Sequence, residues 1–206
     1  MKRPFVILVV LVVAATWATM AAVEGLPSTI WDGVIPILSS IGLATGLSFT
    51  YQKRLWHWRL VQQLLAKTPD LRGAWKVTIR PAWTDPSKTG EKKPVEGYAQ
   101  IDQTASSFCM RLFTKDSRSE TFAFSIDEMD GEFRLTVAYE NSPRMRDRPR
   151  KGTSHQGAAI YRFRGYGPNV VSGEYWTELM NVGEIELRDR TRREISSFED
   201  GKQVFS

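Results

Sequence analysis

The chain has 206 residues, enough for a short membrane anchor and one folded domain but not for two domains with independent cores. Its net charge of +5 lies wholly beyond Tyr51, because the only charged residues before Gln52 are Lys2, Arg3, Glu24 and Asp32. A single cysteine, Cys109, excludes an intramolecular disulfide and a cysteine-based zinc site, and two histidines are too few for most metal sites, so no metal or cofactor is expected.

From Pro4 to Val23 the chain is uncharged and almost wholly apolar, long enough as a helix to cross the hydrocarbon core of a bilayer. Lys2, Arg3 and the small residues near Ala21 also suit a cleaved signal peptide. Against cleavage stands a second uncharged stretch, Gly33 to Tyr51, after the polar turn 24–29. The pair reads as an out-and-back anchor over residues 1–51, with Gly42, Ala44, Gly46 and Ser48 as small residues that let helices approach closely. Trp17, Trp31, Tyr51 and Trp56 are candidate interfacial aromatics. Basic residues flank both spans (Lys2 and Arg3; Lys53, Arg54 and Arg59) and the turn is acidic, so the positive-inside rule places both termini in the cytoplasm. Residues 52–70 then predict an amphipathic linker helix along the membrane surface, with Leu55, Trp58, Val61, Leu64 and Leu65 at helical spacing.

After Thr68-Pro69-Asp70 the pattern changes to alternation and keeps it across residues 71–206. Eight runs (72–80, 95–104, 107–114, 118–126, 132–141, 154–164, 170–179 and 182–190) are rich in β-branched and aromatic residues and separated by turn residues. No helix of useful length interrupts them. The predicted fold class is all-β: an eight-stranded antiparallel up-and-down β-barrel, lipocalin-like, preceded by two transmembrane α-helices. A two-sheet sandwich is the alternative.

Parity selects the inward residues. Trp75, Val77 and Ile79 oppose Arg72, Lys76 and Arg80, and the same choice turns in Ala99, Met110, Leu135, Tyr139, Tyr161, Tyr175 and Ile185 with their alternates. The fourth strand is ambiguous, since Ser119, Thr121, Ala123 and Ser125 oppose Phe122, Phe124 and Ile126. Inward glycines at 97, 157 and 173 fit either close-packed, bent strands or space left for a ligand.

Two apolar spans before Gln52, a strand opening Leu71-Arg72-Gly73-Ala74-Trp75 and a compact all-β region ending near Arg190 together resemble a known family. These are the two-transmembrane, β-strand-rich effectors of bacterial cyclic-oligonucleotide-based antiphage signalling systems (CBASS). Gly73-x-Trp75 is similar to the opening of lipocalins too, so that motif speaks for a barrel only. The resemblance implies a non-enzymatic receptor in the bacterial inner membrane that binds a cyclic oligonucleotide, a cyclic dinucleotide first of all. It also implies that the receptor then forms a homo-oligomer and disrupts the bilayer. It carries no residue-level motif onto this sequence.

The residues themselves add a region. No nucleophile elbow, zinc-protease or phosphate-loop pattern occurs, and Cys109 has no base near it in sequence, so catalysis is not expected. The loops at the end of the barrel remote from the anchor include two long ones, with Lys88, Lys92 and Lys93 in the first and Arg144, Arg146, Arg148, Arg150 and Lys151 in the second. Such a rim suits an anionic ligand, although 142–153 also reads as a solvated basic run. Beneath it, parity places the candidate ligand-binding residues Thr121, Tyr139, Asn141 and Thr177, with Tyr161 and Tyr175 deeper and His155, Arg80 and Asn181 at the edge. Tyrosines stack on bases and Asn or Thr reads base edges or phosphates, though tyrosines in barrels equally bury their rings as filling. A membrane-tethered barrel for a lipid or other apolar ligand, or a scaffold with a filled interior, are the competing functions.

Overall fold

The computed structural model describes residues 3–24, 30–58, 61–62, 68–82, 93–145 and 154–206. They form two compact units, one of Met1–Thr68 with Thr104–Ser106 and one of Pro69–Gln103 with Ser107–Ser206.

In the first unit, α1 (Arg3–Glu24) and α2 (Ile30–Thr50) lie against each other and a π-helical turn, Tyr51–Leu55, continues α2. Thr16, Thr19, Thr45 and Thr50 each return their hydroxyl to the carbonyl four residues back at 2.8 Å, which satisfies these donors without solvent. The two expected helices are therefore present, but among the described residues no helix is long and apolar enough to cross a membrane. In α2 the apolar run is diluted by Ser39, Ser40, Gly42, Thr45, Gly46 and Ser48. Part of the linker is described. Trp56 is fully buried with Tyr51, Leu55 and Val61, whereas Trp58 is exposed. Residues 59–60 and 63–67 of that linker lie outside the described residues.

The second unit is a closed barrel in which each strand pairs antiparallel with the next and β8 returns to β1. Its strands are β1 (Gly73–Ala82), β2 (Val95–Gln103), β3 (Phe108–Thr114), β4 (Ser117–Met129), β5 (Glu132–Pro143), β6 (His155–Arg164), β7 (Val171–Thr177) and β8 (Val182–Thr191). All eight expected strands are present, and closure removes the free edges a sandwich would keep. The ambiguity of β4 is settled by a bulge between Thr121 and Ala123, which leaves Phe122 60% exposed. Both candidate sets are half right: Ser119 and Thr121 face in before the bulge, Phe124 and Ile126 after it, with Phe124 against Phe108.

One end of the barrel is plugged by the segment that enters β1. Leu71 and Trp75 are buried, and the Trp75 indole donates to the Leu71 carbonyl at 2.8 Å. Gln103 holds the same segment from β2, accepting from Leu71 N and donating to Pro69 O. Arg190 reaches over from β8, donating to Asp70 O, Asp70 Oδ1 and Arg72 O with its guanidinium 5.5 Å from the Trp75 ring centroid. Gly73 adopts φ +118° there, and a Cβ would strike the Thr191 carbonyl, so glycine is required.

An α-helix, α3 (Phe198–Val204), was not expected from the sequence. Its cap Ser197 accepts from Asp200 N, while Asp200 accepts from Ser196 N and Oγ. Phe198 and Phe205 pack on Tyr98, and Ile195 donates its N–H to Gln100, so the outer face of β1–β3 is a second small core. The helix is only seven residues long and carries Gly201 at the point where Tyr98 lies closest, which hides its period.

Asp70 sits among Arg72, Arg190 and Arg192 at 2.9–3.1 Å. Burial pushes its pKa up, but the hydrogen bond from Arg72 and the charges of Arg190 and Arg72 outweigh that and lower it from 3.8 to about 2. A depressed carboxylate stabilises the fold above its unfolded pKa and loses that contribution as pH falls through the folded value. Asp70→Asn is expected to cost about 2 kcal/mol at pH 7. The gap from wild type, followed by denaturant unfolding, should close between about pH 4 and pH 2.

Candidate functional site

At the opposite end from that plug, a cavity of about 300 Å³ opens inside the barrel. Its wall is apolar and aromatic, with Ile79, Met110, Leu112, Ala159 and Ile185 beside three tyrosines, and its upper part is lined by neutral polar groups. Such a volume lies at the small end of ligand pockets, and the mixture of apolar wall and few polar groups is the usual composition of one.

Backbone geometry explains why the tyrosines stand where they do. Tyr139 pairs with Gly157, Tyr161 with Gly173 and Tyr175 with Gly183 across adjacent strands. A Cβ on Gly157 would come within 2.6 Å of the Tyr139 hydroxyl, one on Gly173 within 2.7 Å of the Tyr161 ring, and one on Gly183 within 2.9 Å of the Tyr175 ring. Each ring lies flat over a neighbouring glycine instead of filling the centre of the barrel. Close strand packing is equally real, since each Cβ would also strike a backbone atom: Trp176 O, Ile160 O and Arg80 O respectively. Inward glycine thus serves both readings left open by the sequence.

The three phenols are neutral at physiological pH. Burial, with a contribution from Tyr175, pushes Tyr139 up to about 12, and burial raises Tyr161 and Tyr175 as well. None of their hydroxyls hydrogen-bonds to a described residue. Nearer the opening the polar groups are tied together. Ser119 donates to Asn141 Oδ1 at 2.9 Å, and Asn141 Nδ2 lies 3.2 Å from His155 Nε2. Thr121 donates to the Met110 carbonyl at 3.3 Å, and Thr177 Oγ1 accepts from Asn181 N.

All six residues named from the sequence, Thr121, Tyr139, Asn141, Tyr161, Tyr175 and Thr177, line this one cavity, together with His155 and Asn181. Arg80 does not. It is exposed on the outer face, in a polar groove with Arg162 and Glu184, because it has the opposite parity to Ile79. Sequence reasoning passed over Thr114, Ser117 and Ser119 as site residues, although inward parity carried through the β3–β4 hairpin would have found them. Among the described residues that line the cavity there is no Lys, Arg, Asp or Glu. Lys93 is exposed and Arg144 donates its N–H to the Asp116 carbonyl. Lys88, Lys92, Arg146, Arg148, Arg150 and Lys151 lie outside the described residues. Cys109 is on the outer face, where burial and Glu120 push its pKa up and away from nucleophilic use.

Residues 66–189 match the family model described as Cap15, cyclic dinucleotide receptor domain. The chain belongs to that family. A relative from Staphylococcus schleiferi, described as CD-NTase-associated protein 15, is 25% identical over 162 residues, which cover 78% of this chain and 83% of the relative. The family match takes in every described residue that lines the cavity and stops before α3.

The Tyr139–Gly157 pair gives a direct check on this geometry. Gly157→Ala is expected to destabilise by about 1–3 kcal/mol, because the new methyl meets both the Tyr139 hydroxyl and the Trp176 carbonyl. Thermal unfolding should show this loss, and Gly157→Ala with Tyr139→Ala should recover only the part due to the ring.

Proposed function

We propose that this chain is a membrane-anchored effector of antiphage defence whose barrel captures a cyclic oligonucleotide, a cyclic dinucleotide in the first instance. The observation that carries the reading is the half-open barrel: an aromatic, mostly apolar chamber with neutral donors at its mouth, in a chain of the cyclic dinucleotide receptor family. Thr121, Tyr139, Asn141, Tyr161, Tyr175 and Thr177 are the proposed contacts. Rings stack on bases at roughly 1–3 kcal/mol each. Neutral hydroxyls and amides donate to phosphate oxygens without needing a counter-charge. The role is that of a receptor, with no catalytic step.

Anchoring in the inner membrane by two spans, with both termini cytoplasmic, rests on the apolar stretches 4–23 and 33–51 and their flanking charges. Damage to the bilayer is taken to require several copies, because two spans without rows of polar residues make no conduction path. Gly42 and Gly46 are proposed to pack between anchors. A Cβ at either position has nothing within 4 Å, so this helix face is open in the single chain. Capture by the barrel would then favour assembly through a difference in affinity between free and assembled states.

Full-length protein in detergent should gain thermal stability with a cyclic di- or trinucleotide. Ligand at 100 times its dissociation constant adds roughly 2.7 kcal/mol. A shift with fatty acids and none across the nucleotide panel would favour the apolar carrier instead. In cells that make the ligand, Gly42→Leu with Gly46→Leu should abolish toxicity while leaving nucleotide affinity within about two-fold of wild type. Full toxicity and ligand-dependent permeabilisation in that variant would remove this helix face from the assembly.

A further inference from the structure

Tyr161 is the most enclosed polar side chain of the cavity, at 1% exposure. It lies six residues along β6 from His155, roughly 20 Å of strand away from the rim. Its ring is fixed over Gly173 and opposite Leu135, so the hydroxyl has no freedom to swing out to bulk water. No described residue hydrogen-bonds to that hydroxyl, and Tyr161 lines the cavity. Buried hydroxyls are ordinarily paired, and one left open at the floor of a chamber is a group built for something that enters it.

What can enter is limited by charge and by space. Among the described residues no Lys, Arg, Asp or Glu lines the chamber, and the wall around Tyr161 is Ile79, Met110, Ala159 and Ile185. A phosphodiester driven to that depth would lose its hydration with no cation to replace it, whereas a nucleobase is neutral, flat and carries hydrogen-bonding edges. A volume of about 300 Å³ suits one base with its sugar and not a complete cyclic dinucleotide. The other polar groups are at the opposite end, with Ser119, Asn141, His155, Thr177 and Asn181 around the opening.

We propose that the barrel reads a single base of its ligand, edge-on through the Tyr161 hydroxyl at the cavity floor, and keeps the phosphodiester ring and the second base at the mouth. This rests on the cyclic-oligonucleotide reading and adds to it an orientation and a residue that sets base preference. A site built to hydrogen-bond one edge discriminates strongly against an edge that leaves its hydroxyl unpaired. The deep base is therefore specified and the outer one is not.

The test is calorimetric titration of the full chain in detergent with every 3′,3′-cyclic dinucleotide of the four RNA bases. One base should decide binding. The homodinucleotide of that base and the three mixed ligands containing it are expected within about 10-fold of one another, and all others at least about 100-fold weaker. Tyr161→Phe should lower affinity for the preferred set by about 10–100-fold and flatten the preference. Its ligand-free Tm should be equal to or above wild type, because the deleted hydroxyl had no protein partner. A ring that merely fills space predicts unchanged affinity in this variant, and that result overturns the assignment. A wild type that needs two specified bases overturns the single-base orientation. Tight binding of all ligands without preference leaves the cyclic-dinucleotide reading intact and sinks this inference alone. Binding of none of them, with uptake of a fatty acid, sinks both.

Discussion

Everything in the barrel unit depends on how its first strand is sealed to its last. A barrel of eight strands closes only if β1 and β8 meet in register, and here that seam is held by one largely buried carboxylate and the arginines around it. Asp70 draws in Arg72, Arg190 and Arg192, and Arg190 spans the seam to cap Trp75. Close to the seam, β8 takes an extra residue opposite the step from Ala74 to Lys76, with Asp189 in the left-handed region at φ 54°. The bulge turns the end of β8 so that Arg190 and Arg192 can both reach the same carboxylate. Burying this group costs desolvation, and only its complete hydrogen-bonding makes the arrangement tolerable. Fixing the closed end in this way leaves the other end free to stay open.

The openness of that other end is a packing decision. An eight-stranded barrel has just enough interior for its own side chains. Large residues fill the closed half, with Phe133, Phe163, Leu187 and Ile101 around Trp75. In the open half the three tyrosines fold back onto glycines of the next strand, and the β4 bulge exchanges Phe122 for Thr121 on the inner face. Both devices remove volume from the middle of the lumen without removing aromatic surface from its wall. The chamber keeps neutral phenol donors because burial holds these groups protonated. Among the described residues, no Lys or Arg lines this chamber.

Much of this was legible in the sequence. Period-two alternation is enforced by the pleat, and with one face buried and one wet it fixes strand number, order and inward parity, so all eight strands and all six named cavity residues follow from residue type and spacing alone. What alternation could not supply was any feature made by a break in it. The bulge after Thr121 is a one-residue event with no composition signature, and either parity of β4 satisfied the pattern.

The tertiary structure alone decided the remainder, because it depends on partners distant in sequence. Gly157 and Gly173 leave bent strands and ligand space both open until the cross-strand tyrosines are seen lying on them, and Gly183 joins them only in the structure. Helix α3 has too few residues to show a period, and what stabilises it is Tyr98, about a hundred positions earlier. Arg80 looked like a rim residue from its place at the end of a strand, but its side of the pleat turns it outward. Asp70, Arg190 and Trp75 meet only because the barrel closes, and no local rule links residue 70 to residue 190. Sequence therefore determined which side chains face the interior, since that is set by local geometry. The tertiary structure decided how much interior is left, since that is set by pairs of residues brought together by closure.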